Sequence, residues 1–161
     1  MKTIYFIRHA KSSWDDPSLR DFERPLNARG KRDAPKMARY LHDLKVQPDL
    51  IVSSPAKRAQ KTAKAFQEIL GNPPLELEKE IYEASTSTIF QIVQEIDDVH
   101  SLIFMFGHNP TFTSIANQFT DELIMNVPTC GIVKIECSIH TWKKFSRADG
   151  KLTAFYYPKM F

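Results

Sequence analysis

The chain has 161 residues, 42% hydrophobic and 25% charged, which suits one globular domain with a sizeable core and excludes a disordered or low-complexity chain. Its net charge is only +3, yet residues 1–64 carry 15 Lys/Arg against 7 Asp/Glu (a surplus of +8) and residues 65–161 carry 7 against 12 (a deficit of −5). No apolar run approaches the roughly 20 residues that span a bilayer, and the opening MKTIYFIRHA breaks at Arg8, too early for a secretory leader, so the expectation is a cytoplasmic protein with no membrane partner.

In chain order, the apolar run at 4–7 predicts a strand over 2–7, buried on both faces, that ends on Arg8-His9. A helix is expected over 27–44. Pro35 interrupts it by removing a backbone donor, and the favoured reading is a short first turn followed by a long helix capped by Asp33. A strand at 49–53 leads into a helix at 55–70, with Ser54-Pro55 as N-cap and first helical residue. Ala59, Thr62, Ala63, Phe66 and Leu70 keep its helical spacing. A short strand at 75–78 and a helix at 87–97, the latter read from Ile89, Ile92, Val93 and Ile96, precede a second continuously apolar strand at 101–106. Gly107-His108 follows, and Asn109-Pro110 repeats the start signal for a helix at 110–119. Strands at 131–137 and 151–157 complete the order, with Asp149-Gly150 as a turn signal before the last. This alternation predicts an α/β fold: a mostly parallel central sheet with helices on both faces, an antiparallel edge near the C-terminus, and a single domain over 1–161.

Three of those strands deliver Arg8 and His9, Arg58, and His108 from their carboxyl ends, the edge at which open α/β sheets bind ligands. An imidazole can attack phosphorus, a guanidinium grips phosphoryl oxygens in a fork, and helix N-termini at the same edge favour an anion. The basic surplus of the first 64 residues would draw an anionic substrate. It lacks the aromatic-interleaved basic stripe of a nucleic-acid binder, so no nucleic-acid partner is expected. His42, His100 and His140 read as exposed or structural, and Cys130 and Cys137 as small buried residues rather than a disulfide framework or zinc site. No sequence signature of a metal or cofactor site is present, so neither is expected.

The motifs then carry a resemblance. Arg8-His9-Ala10, the run from Ser53 to Ala63 with Arg58-Ala59 and Thr62-Ala63, and Gly107-His108-Asn109-Pro110 resemble, in order, those of the histidine phosphatase superfamily, which has the phosphoglycerate mutase-like fold. Arg24-Pro25-Leu26-Asn27 to Gly30, and Pro128-Thr129, resemble the short SixA-type phosphohistidine phosphatase branch. The resemblance implies His9 as the nucleophile, Arg8, Arg58 and His108 as phosphate-binding groups, and Glu83 as the candidate general acid, with Lys11, Ser12 and Arg24 near the pocket. It implies a metal-independent phosphatase acting on phosphohistidine in a protein such as a phosphotransfer domain or phosphocarrier. A small phosphate ester is the alternative substrate, and a phosphate-binding module without turnover is the alternative of another class. The short chain leaves little room for a lid, which suits phosphate presented on a protein surface.

Overall fold

A computed structural model describes residues 1–161. Six strands form one sheet: β1 (Lys2–Arg8), β2 (Leu50–Ser53), β3 (Leu75–Leu77), β4 (Leu102–Gly107), β5 (Ile132–Cys137) and β6 (Gly150–Tyr156), in the order β3-β2-β4-β1-β5-β6. Four helices connect them: α1 (Ala28–Asp43), α2 (Lys57–Ile69), α3 (Thr86–Gln94) and α4 (Thr111–Gln118). Strands β3, β2, β4 and β1 are parallel, and β5 runs antiparallel to both β1 and β6, so the sheet has the expected antiparallel edge. No helix is long and apolar enough to cross a membrane.

The continuous apolar runs follow from burial on both faces. Ile4, Phe6, Leu50, Val52, Ile103 and Met105 point to one side, against Ile89 and Val93 of α3 and Phe112, Ile115 and Ala116 of α4. Tyr5, Ile7, Ile51, Phe104 and Phe106 alternate to the other side, against Ala34, Met37, Ala38 and Leu41 of α1 and Ala63 and Phe66 of α2. Helices α2 and α3 present their apolar stripes at the spacing that placed them in the sequence.

Helix α1 is neither split nor delayed. Asn27, not Asp33, caps it: its side chain accepts from the Gly30 N–H at 2.9 Å. Asp33 lies inside the helix, almost fully buried, 3.8 Å from Arg29. Pro35 is tolerated because the carbonyl it leaves without a donor belongs to Lys31, an exposed residue open to solvent. Helix α2 starts later than expected, with Ala56 at the cap position and no side-chain cap, so Ser54 is released for another partner. The Asp149-Gly150 pair makes no tight hairpin. Residues 138–149 form a longer connection that tucks Trp142 and Phe145 into the core before β6 pairs with β5.

Candidate active site

The register of the parallel strands assembles the site. Arg8 pairs with Gly107 and Ser53 with Phe106, so β1, β4 and β2 end side by side. Each exit is then pinned: the His9 N–H donates to Gly107 at 3.1 Å, the Ser54 N–H to Phe106 at 3.0 Å, and the Cys130 N–H to the carbonyls of Arg8 and His9 at 3.1 and 3.0 Å. A Cβ on Gly107 would stand 2.5 Å from the Phe112 ring, so only glycine lets the chain turn here. The Thr62 hydroxyl accepts from the Ala10 N–H at 3.0 Å and donates to the Arg58 carbonyl at 2.7 Å, tying the loop after His9 to the helix that carries Arg58.

His9 is 7% exposed, and its Nδ1 lies 2.8 Å from the Ala10 carbonyl oxygen. A carbonyl only accepts, so Nδ1 carries the ring proton and the lone pair of the neutral ring sits on Nε2. Burial lowers the His9 pKa to about 3, with His108, Arg58 and Arg8 adding to the fall against the opposing bond to Ala10. The ring is therefore neutral at physiological pH. The His108 ring lies 5.3 Å from it, centroid to centroid, and burial with the charge of Arg58 lowers the His108 pKa to about 4. His108 Nε2 is 2.8 Å from the Ser54 hydroxyl, which also accepts from the Ala56 N–H at 3.2 Å.

The two arginines are held by different partners. Arg8 donates from Nη1 to the Val127 carbonyl at 3.0 Å. Arg58, almost fully buried, donates from Nη1 to the Asp21 carbonyl at 2.7 Å and from Nη2 to the Asp21 carboxylate at 2.9 Å. Burial and the nearby Arg58 lower the Arg8 pKa, a like-charge cost that an anion between the guanidiniums would offset. Two buried nitrogens in this cluster have no hydrogen-bond partner: Arg8 Nε and His108 Nδ1.

Asp21 is the residue that sequence reasoning missed. It sits on the loop between two short paired segments, in which Ser12 bridges Leu26 and Ser13 bonds Pro25. Its carboxylate accepts from Arg58, from Tyr82 Oη at 2.6 Å and from Arg24 Nη1 at 2.9 Å. Desolvation alone would raise its pKa, but these donors hold it well below the usual carboxylate range. Tyr82 also packs edge-on against the His108 ring at 5.5 Å. Arg24 continues outward, bonding the Ser12 hydroxyl and stacking on the exposed Trp14 with its guanidinium carbon 3.3 Å from the ring centre.

The structure thus brings Arg8, His9, Arg58 and His108 together, with Ser54, Asp21 and Tyr82 around them. Ser12 and Arg24 join through Asp21. Lys11 lies to the side of the cluster, its backbone under the start of α1. Glu83 is exposed, with a left-handed backbone (φ 58°), next to Tyr82, and makes no hydrogen bond or ion pair with the other four. No three His, Cys, Asp or Glu side chains converge as a metal-ligand set.

Residues 4–98 match the family model of the histidine phosphatase superfamily (branch 1). A chloroplastic protein of Arabidopsis thaliana is 48% identical over 66 residues, 41% of this chain, and that match spans only 30% of the relative's length. Among solved structures, a candidate phosphohistidine phosphatase SixA from Agrobacterium tumefaciens is 29% identical, with 98% of both chains covered and a TM-score of 0.83. The protein histidine phosphatase SixA complexed with tungstate shares the fold at 19% identity, with 95% of both chains covered and a TM-score of 0.80.

Proposed function

The chain belongs to the histidine phosphatase superfamily (branch 1), and on that premise we propose that it hydrolyses phosphohistidine on a protein, such as a phosphotransfer domain or phosphocarrier, through a covalent intermediate on His9. The observation that carries this reading is the neutral His9, its lone pair on Nε2, beside two buried nitrogens without partners, Arg8 Nε and His108 Nδ1. Buried polar groups left unpaired at a cleft are unusual in a settled core and fit a site built for an anion.

In the first step, His9 Nε2 bonds to phosphorus as the phosphorus–nitrogen bond of the substrate breaks. Arg8 and Arg58 hold the non-bridging oxygens. We assign the His108 ring proton to Nδ1, with Nε2 accepting from the Ser54 hydroxyl 2.8 Å away; Nδ1 then hydrogen-bonds the transferring group. Water then attacks the phosphorus, the bond to Nε2 breaks, and His9 and inorganic phosphate are restored. Fixed cations do the charge neutralisation that magnesium supplies in many phosphoryl transfers, so the reaction is metal-independent.

The electrostatics favour phosphohistidine over an alkyl phosphate. An alkoxide needs a proton as it leaves, and the groups in the cluster hold none to give near neutral pH. Asp21 is locked as the anion, His108 is already neutral, and Tyr82, with its pKa raised to about 12 by burial and its bond to Asp21, keeps its own. An imidazole whose second nitrogen is protonated leaves as a neutral ring without help. Two free buried cysteines suit the reducing cytoplasm proposed for it.

The test is an initial-rate panel with EDTA present: phosphohistidine protein, free phosphohistidine, p-nitrophenyl phosphate and sugar phosphates. The phosphohistidine protein should give the highest kcat/KM, and His9→Ala should lose on the order of 10³-fold in kcat while staying folded. A sugar phosphate as the preferred substrate, or loss of activity on chelation with recovery on adding Mg²⁺, would refute the proposal. Glu83, one residue beyond Tyr82, keeps a small-ester reading in play. If it is a general acid, Glu83→Gln slows p-nitrophenyl and alkyl phosphates far more than phosphohistidine; equal or absent effects remove it from the chemistry.

A further inference from the structure

The groove beside Arg8 is strongly charged. It has a volume of about 590 Å³ and runs between α1 and the segment after β6. Six cationic side chains line it, Arg8, Lys11, Arg29, Arg32, Lys36 and Lys159, against one carboxylate side chain, Asp33. The whole chain carries a net +3, so a local excess of five is not average surface. Asp33 is already engaged by Arg29, and Lys36 donates to the Pro158 carbonyl at 3.1 Å. Lys11, Arg32 and Lys159 make no side-chain hydrogen bond or ion pair with the protein, so their charges are free to meet a ligand.

The spacing of the cations says what kind of anion fits. Arg29, Arg32 and Lys36 follow the i, i+3, i+7 pattern on one face of α1, a stripe about 10 Å long at 1.5 Å per residue. One phosphate needs donors that converge within a few ångströms, whereas a stripe of this length matches about three residues of extended chain. Arg8 belongs both to this groove and to the cluster around His9, so the two adjoin at that residue.

We propose that the groove is a docking surface for an acidic segment of the protein substrate, seating Asp and Glu side chains that flank the phosphohistidine in the partner's sequence or on its surface. This rests on the phosphohistidine reading for the choice of partner, but not for the existence of the groove. Several partly exposed ion pairs, each weak alone, add up to a preference of about tenfold.

Two measurements separate the claims. The first uses a pair of peptides, each with one phosphohistidine, flanked by Asp/Glu in one and by Asn/Gln in the other. The wild type should show a KM about tenfold lower for the acidic peptide, and the double variant Arg32→Glu, Lys159→Glu should erase that difference. Equal KM values in the wild type, or a preference that survives the charge reversal, would overturn the groove. The second titrates the unphosphorylated acidic peptide, labelled for fluorescence polarisation, against both proteins, with circular dichroism confirming that the variant is folded. Binding to the wild type that weakens with salt and is lost in the variant supports the groove whether or not either phosphopeptide turns over. No turnover of either phosphopeptide, with binding intact, sinks the phosphohistidine reading instead. Inorganic pyrophosphate displacing the peptide at much lower concentration than an added acidic competitor would reassign the groove to a compact polyanion and overturn the proposal.

Discussion

At the scale of single residues, the proposed mechanism turns on protonation. The folded chain holds His9 and His108 at pKa values of about 3 and about 4, below the 6.5 of a free imidazole. The unfolded chain therefore binds protons first as the pH falls. Stability is full above pH about 6.5, declines below it, and stops declining through these groups once pH passes about 4 for His108 and about 3 for His9. Ring nitrogen spectra should keep both in the neutral form from pH 8 to 5, and thermal midpoints should drop across pH 6.5 to 4. Titration of the His9 ring near pH 6.5 would contradict the environment described. Arg58 tests the geometry rather than the charge. Lysine cannot donate to the Asp21 carbonyl, its carboxylate and a phosphoryl oxygen from one plane, so Arg58→Lys should cost roughly 10²-fold in kcat/KM. A variant within threefold of wild type would remove the fork from the mechanism.

At the scale of elements, strand ends and first turns do the positioning. Gly107→Ala places a methyl against the Phe112 ring and beside Ile81 and has to push α4 from the sheet. Overpacking of this kind costs about 1–3 kcal/mol, read as a lower midpoint in urea, and should raise KM as well because His108 is the next residue. A midpoint shift without any change in KM would show that the His108 loop is held independently of α4. The elements also explain what the sequence disclosed. The parallel strands were legible because alternating faces, both buried, leave runs such as that at 4–7 with no polar residue. Arg8, His9, Arg58 and His108 were legible because each stands next to a strand end or a helix start. Ser54 was misread because a serine before a helix looks the same whether it caps that helix or faces a histidine. Asp21 and Tyr82 left no local trace: the bonds of Asp21 to Arg58 and to Tyr82 join residues 37 and 61 positions apart, on segments with no periodicity. The cap on α1 was misplaced because Pro35 drew the expected start toward Asp33, while Asn27 carried the same chemistry six residues earlier.

For the whole molecule, charge is segregated: the first 64 residues, with a surplus of +8, supply Arg8, Arg58 and most of the groove. An anionic substrate should therefore be drawn in from beyond contact distance, and kcat/KM should fall as ionic strength rises from 10 to 300 mM, more steeply than kcat. A kcat/KM flat across that range would mean that the field plays no part in capture. The placement of the chain's two tryptophans has a separate practical use. Trp142 is fully buried, whereas Trp14 lies open to solvent on Arg24, which shares Asp21 with Arg58. An oxyanion taken up by the remaining Arg58 N–H groups adds negative charge beside Asp21, and so changes the field at the arginine that stacks on Trp14. The molecule thus carries a native optical gauge: vanadate added to the unlabelled protein should alter the red-edge emission of the exposed indole, while the blue component of the enclosed one serves as the internal reference.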